Sequence, residues 1–520
     1  TIEGDRKMKL VSPGVYTEEL DYSFYAPALA ITIFGVVGTA NKGPINEVTL
    51  ITNEGQLTDT FGVPDSTKFG ILCAIRYLRR GSTLKFVRVA TASALAAHCD
   101  LYNTADSPPV EAVTVTATSS GTWGNSIAIG VSNGTTLANS KKITVYYAGY
   151  SVEVWDNVLL TPDTSDNFIE RVINGNSSYI SVVVVEDGLP LANTITNTPL
   201  ASGNSGTSSL TAADIIGTNV GGVRTGMQLF GDPLRQDLNL LAVPGYSSMV
   251  PTEAKSIVAE LISIAEYRGD TLSIIDCPYG KNVQEIINWH NGTGGGGGDP
   301  TQTLNSSYAA LYWPWLEVSD PYTGTEMFIP PSGHVAQIMA YTDTVRDTWW
   351  APAGFQRGRV QDVIGSEISP DQGSLEYLYG GLNRVNPFVN FSTDGITLWG
   401  QQTLYRANSA LTSINVRRLL LYARKVVSTA VRYLVFEPND RFTWMQFSNL
   451  VNPIFAEIRG RRGLTNFTVI CDETTNTPER VDRNEMWGLI VLQPTRTAEK
   501  IAVQFAITKT GALFEELGLV

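Results

Sequence analysis

The chain has 520 residues, 43% hydrophobic and 17% charged, with 50 acidic side chains against 37 Lys and Arg and a net charge of −13. That length predicts three or four domains, and the apolar fraction excludes a disordered or collagen-like chain. So acidic a chain is a poor phosphate binder, and direct contact with nucleic acid is not expected. Thr, Ser, Asn and 47 glycines fill the place of charged residues. That balance suits β-rich surfaces or areas buried against other subunits, without choosing between them.

The opening TIEGDRKMKL is polar, with no signal-peptide core behind it. The most apolar early stretch, 26–40, is shorter than the roughly 20 residues of a bilayer span. A soluble protein made in a cytoplasm, without membrane insertion, is expected. Residues 11–25 (VSPGVYTEELDYSFY) carry Pro and Gly early and no helical period, which predicts an extended arm. ITIFGVV (31–37), VTLIT (48–52) and LKFVRV (84–89) read as strands. Between the last two, Phe69, Leu72, Cys73, Ile75, Tyr77 and Leu78 recur at helical spacing, with Arg79, Arg80 and Gly81 as stop signals.

From about residue 90 to 206 the chain turns to Thr, Ser, Asn and Val. Strands at 110–118, 126–132, 141–149 and 179–187 predict a β-rich module inserted into the first domain. Its tail, 192–211, reads as a low-complexity linker. Further on, strand 238–245, helix 253–268 and strand 271–278 make a βαβ unit, which implies a parallel sheet. The glycine run 294–298 is a loop lacking the Lys and Ser/Thr of a phosphate-binding motif. YAALYWPWLEV (308–318) reads as one aromatic strand. Helices are expected at 414–435 and 445–458, and Ile501, Val503, Phe505 and Ile507 alternate as one face of a terminal strand able to join a neighbour's sheet.

Chemistry is sparse. Cys73, Cys99, Cys277 and Cys471 lack CxxC spacing, and His98, His290 and His334 form no metal motif. The sharpest enzymatic reading is an α/β hydrolase-like site with Cys277 as nucleophile at a strand end and His290 or His334 as base. Arg459, Arg461 and Arg462, after the second late helix, are the densest basic cluster. They read as a solvated helix end or as a patch for an acidic partner.

Strings along the chain resemble the sheath proteins of contractile phage tails and related injection machines. They begin with SPGVYTEE (12–19), GVVGTANKGPINEVTLITN (35–53) and the FG at 61–62. The middle carries DLNLLAVPG (237–245), SIIDCP (273–278), SSYAALYWPWLEVSDP (306–321), IPPSGHVAQIMAYTD (329–343) and WAPAG (350–354). Then follow GITLWGQQTL (395–404), INVRRL (414–419), VFEPND (435–440), VICDETTNTPE (469–479) and LQPTRTAEKIAVQF (492–505). Gln337, Tyr341, Asp347 and Thr348 depart from the family's pattern, and the β-rich module matches nothing family-wide.

The resemblance implies a multidomain mixed α/β fold with extended terminal arms at 1–25 and 501–520. A discontinuous inner domain would be made of 26–90 and 373–500, with the insertion 91–206 and a middle α/β domain 207–372 between its parts. It implies a non-enzymatic structural subunit without cofactor or metal, polymerising as stacked, expectedly sixfold rings around the tail tube. Contraction from a metastable extended state would drive the tube through the host envelope. Tube, baseplate and tail terminator proteins would be partners, with assembly in the host cytoplasm and final residence in the virion; a tailocin-type device is the close alternative. The arms, with Val11, Val15 and Tyr16 at one end and Ile501, Val503, Phe505 and Ile507 at the other, would donate strands to neighbours. Arg459, Arg461 and Arg462 would face the tube.

Overall fold

The computed structural model describes residues 32–502, apart from 104–108, 162–165, 187–190, 247–250 and 293–302. The fold is mixed α/β, built around an eight-stranded sheet. Its order is Val48–Ile51, Thr83–Arg88, Ile33–Gly38, Leu240–Ala242, Leu272–Asp276, Ala309–Trp313, Val385–Phe391, Gly395–Leu398. The six inner strands run parallel, and each outermost strand is antiparallel to its neighbour.

The apolar runs have no polar alternation because both faces are covered. Phe34 and Val36 join Leu240, Ile274 and Tyr312 in a cluster under helices Phe69–Leu78 and Ser332–Val345. Ile33 and Val37 join Leu241, Ile275 and Trp313 under helices Pro251–Arg268 and Val283–Asn291. Helix and sheet approach closely at Gly38 and Gly70, where a Cβ on Gly38 would lie 2.9 Å from the Gly70 Cα. Strands from 26–90, 207–372 and the start of 373–500 thus share one sheet, although the sequence suggested two α/β units. Periodicity identifies a strand but not the neighbour with which it pairs.

The β-rich module is a sandwich of two antiparallel sheets. One has the order Thr198–Pro199, Ile127–Asn133, Lys141–Tyr147, Tyr150–Val158, and the other His98–Tyr102, Glu111–Ala117, Ile180–Val184. Val113, Val115 and Val182 share a buried cluster with Ile127, Ile129, Ile143 and Val145. The expected linker 192–211 is instead tied into this module. Thr198–Pro199 pairs with Ala128 and Ile129, and His98 and Leu95 bridge to Ala201 and Asn204. A polar segment with no side-chain period can still satisfy its backbone groups on a sheet edge.

The aromatic run 308–318 divides at Pro314, which has no N–H to give to a ladder. Ala309–Trp313 stays in the central sheet, while Leu316–Ser319 pairs with Glu326–Ile329 and Gly365–Ser366. The C-terminal unit has its own core, made by helix Ile414–Val431, helix Arg441–Gly460 and the hairpin Leu464–Ile470/Leu489–Pro494.

Candidate functional site

Helix Arg441–Gly460 begins where the Asp440 carboxylate accepts the Thr443 N–H at 3.0 Å. Trp444, Phe447, Val451, Phe455 and Ile458, spaced by three and four, form its buried stripe against Leu419 and Ala423. The helix stops in the basic turn. Arg462 adopts φ +67°, and Gly463 follows in a buried place where a Cβ would lie 2.7 Å from Ile458 Cγ2 and 3.0 Å from Trp349. Glycine lets the chain turn straight into strand Leu464–Ile470.

The three arginines are exposed at this corner, each over a different aromatic ring. Arg459 lies over Phe467 at 5.3 Å, Arg461 over Trp349 at 5.8 Å and Arg462 over Trp350 at 5.9 Å. Arg461 also pairs with Asp347 at 2.5 Å and Glu457 at 3.6 Å, and its carbonyl accepts the Trp349 indole N–H. Burial pushes the Asp347 carboxyl up more than Arg461 draws it down. Arg459 and Arg462 therefore retain more freedom than Arg461 to meet an external carboxylate. Sequence reasoning missed Asp347, Trp349 and Trp350, which lie more than a hundred residues upstream.

The hairpin strands pair only with each other among the described residues. Ile490 and Leu492 turn to the C-terminal core, while Leu489 and Val491 stay about half exposed on the other side. The connecting loop is held by buried Asn476. Its amide nitrogen donates to the Asp472 and Trp487 carbonyls at 3.1 Å each, and its oxygen accepts the Trp487 N–H at 2.6 Å. A two-stranded sheet with open edges and apolar side chains on both faces is a template for further strands.

After the hairpin the chain is pinned again: Gln401 donates to Thr497 and Glu499, and Tyr379 donates to Glu499 at 2.9 Å. Ile501 then emerges 82% exposed and outside any strand. Val503, Phe505 and Ile507, like Val11, Val15 and Tyr16, lie outside the described residues.

Cys277 is fully buried, and burial with the Asp276 and Glu367 carboxylates pushes its thiol well above the usual value. That is opposite to what a thiolate nucleophile needs. Among the described residues no hydrogen bond joins its sulfur to a histidine; His334 faces Asp362 at 3.4 Å, and burial holds His290 down to about 4. No described helix is long and apolar enough to cross a membrane.

Family models match at both ends of the chain. Residues 32–89 match the tail sheath protein Gp18 domain III N-terminal region, and residues 406–508 match the phage tail sheath C-terminal domain. The tail sheath protein of Enterobacteria phage T4 is 28% identical over 326 residues, covering 61% of this chain and 48% of that protein. The tail sheath protein of Vibrio phage KVP40 is 29% identical over 309 residues, covering 56% and 45%. The chain thus spans about half the length of the curated relatives it matches.

Solved structures agree in fold at low identity. The sheath tail protein of Listeria innocua superposes with a TM-score of 0.60 at 14% identity, covering 89% of this chain and 95% of that one. That of Desulfitobacterium hafniense gives 0.59 at 12%, covering 93% and 100%. The helical sheath of the anti-feeding prophage, in its contracted state, gives 0.53 at 16%, covering 95% and 99%. Sheath domain models thus match at both ends of the chain, tail sheath proteins of phages align with more than half of it, and its fold is that of solved sheath proteins: the chain is similar to contractile tail sheath proteins.

Proposed function

We propose that the chain is the polymerising subunit of a contractile phage tail sheath, stacked as sixfold rings around a tail tube within the virion. The observation that carries this reading is the hairpin Leu464–Ile470/Leu489–Pro494, paired on one side only and apolar on both faces, close to where the C-terminal arm leaves. Arms from neighbouring copies complete it. Ile501, Val503, Phe505 and Ile507 supply one strand, and the segment with Val11, Val15 and Tyr16 supplies another. Backbone ladders shared between subunits survive rigid-body rotation because the arms act as hinges.

The body built on the central sheet, with its C-terminal unit, faces the tube, with Arg459, Arg461 and Arg462 against its acidic surface, and the insertion 91–206 projects outward. Exposed ion pairs are individually weak and salt-sensitive, which suits a grip that must let go on firing. Contraction moves the lattice from a metastable extended form, set at the baseplate and closed by a terminator during assembly in the host cytoplasm, to one with more buried interface. The phage curated relatives favour a virion over a tailocin-type device. Removing 501–520 tests the arm: a folded monomer that no longer polymerises is expected, and ordered sheaths from the truncated chain would refute strand donation.

A further inference from the structure

A cleft of about 830 Å³ lies between helix Gln372–Tyr379, the loop 349–357 and the segment 495–500 that follows the hairpin. Two amides in its wall, Gln401 and Asn415, are each 4% exposed. The Gln401 Oε1 and Asn415 Oδ1 atoms are buried and accept no hydrogen bond. Both oxygens lie beneath the cleft surface, out of reach of solvent, so what the cleft offers an incoming segment is its charged and aromatic side chains. The cleft is also basic: Arg357, Arg462, Arg496 and Lys500 line it against Glu376 and Glu499. Glu499 is already engaged by Tyr379 and Gln401. Three guanidinium groups, from Arg346, Arg357 and Arg462, crowd one indole, Trp350, at 5.3, 5.2 and 5.9 Å. Their mutual repulsion is relieved by carboxylates placed among them.

The cleft therefore suits an extended segment that is acidic and aromatic. Residues 17–25 (TEELDYSFY) have that composition, with Glu18, Glu19 and Asp21 close together, Tyr22, Phe24 and Tyr25 behind them, and no basic residue. The described chain begins beside the site. Thr32 lines a smaller pocket with Trp349 and Arg461, and Trp349 also lines the cleft. The intervening residues 26–31 reach about 20 Å when extended.

We propose that the cleft is the docking site for residues 17–25 of the same chain, held in cis in the free subunit. The capture itself does not depend on the sheath reading. Its consequence does: Arg462, one of the tube-facing cations, stays covered until the arm is released into the lattice.

The test is binding of a fluorescent peptide spanning 15–27 to the full chain as a monomer. The wild-type chain should bind it at least tenfold more weakly than the full chain carrying E18K, E19K and D21K, whose own arm has left the cleft. Adding R357E and R462E to that variant should abolish binding; if thermal melting reveals unfolding, R357Q and R462Q replace them and should weaken it at least tenfold. Equal binding by wild type and arm variant, or binding indifferent to both cleft pairs, would overturn the proposal. So would displacement of the peptide by a 503–520 peptide as effectively as by itself, which would assign the cleft to the other tail. A dimer that binds peptide only on dissociating would place the arm in a second copy and equally overturn it.

Discussion

Asp276, at the end of strand Leu272–Asp276, is fully buried, with one oxygen accepting the Ser332 N–H at 2.7 Å and the other accepting nothing. Burial pushes its carboxyl up to about 7. The folded state therefore favours the protonated form. The stability this carries is complete below the unfolded value near 3.9, falls as pH rises to about 7 and is flat above. Asp276→Asn keeps an acceptor for Ser332 and removes the ionisation. Urea unfolding from pH 4 to 8 should show wild type losing up to about 4 kcal/mol relative to this variant; a difference constant with pH would contradict the assignment. Other residues were harder to read. Arg417 and Arg418 look like surface charges on helix Ile414–Val431, yet both are buried, Arg418 against Asp343 at 2.6 Å and Arg417 over Tyr308 at 4.1 Å. Their partners lie on distant segments. Two departures from the family pattern have roles of the same kind: Tyr341 receives Arg80 over its ring at 4.8 Å, and Asp347 pairs with Arg461.

Among the elements, one buried side chain bridges the core and the insertion, beside the Gly43 N–H to Ser119 Oγ bond and Lys42 over Trp123. Arg88, fully buried at the end of its strand, donates to the carbonyls of Gly43 at 2.7 Å, Ser120 at 2.9 Å and Ser205 at 3.2 Å. It thereby ties the core to two segments of the insertion, the loop at Ser120 and the exit at Ser205, and burial pushes its pKa down to about 10. Arg88→Met leaves three carbonyls without this donor, at about 1–3 kcal/mol for each that stays unpaired. Hydrogen exchange should accelerate at least tenfold in 95–125 and 198–206 while strand Leu272–Asp276 keeps its protection; uniform acceleration would mean that Arg88 supports the whole fold. Long periodic elements were legible: the helix expected at 445–458 is Arg441–Gly460, and that at 253–268 is Pro251–Arg268. Strand Tyr150–Val158 was not, because its hairpin turns at Ala148 (φ +49°) and Gly149 (φ +86°) without the Asn-Gly or Asp-Gly that marks such turns. Sheet order was likewise hidden, since apolar runs buried on both faces carry no mark of their neighbours. At the candidate site the basic cluster was visible in sequence, whereas the aromatic rings beneath it and the ion pair restraining Arg461 came only from tertiary packing.

At the scale of the whole molecule, the proposed lattice needs a rigid body and adaptable links, and the sheet with its two buried clusters would supply the first. The proposed tube contact through the arginine corner makes a graded prediction. Replacing Arg459, Arg461 and Arg462 together with Glu should prevent assembly on the tube, measured by co-sedimentation. Arg461→Glu alone should also lower thermal stability, because it sets a carboxylate against Asp347. Normal extended sheaths from the triple variant would remove the corner from the tube interface. The central claim, self-assembly into a sheath, is tested most directly by electron microscopy of the purified chain mixed with tail tubes. Regularly striated helical sleeves around the tubes are the predicted result; chains that stay dispersed beside bare tubes would contradict it.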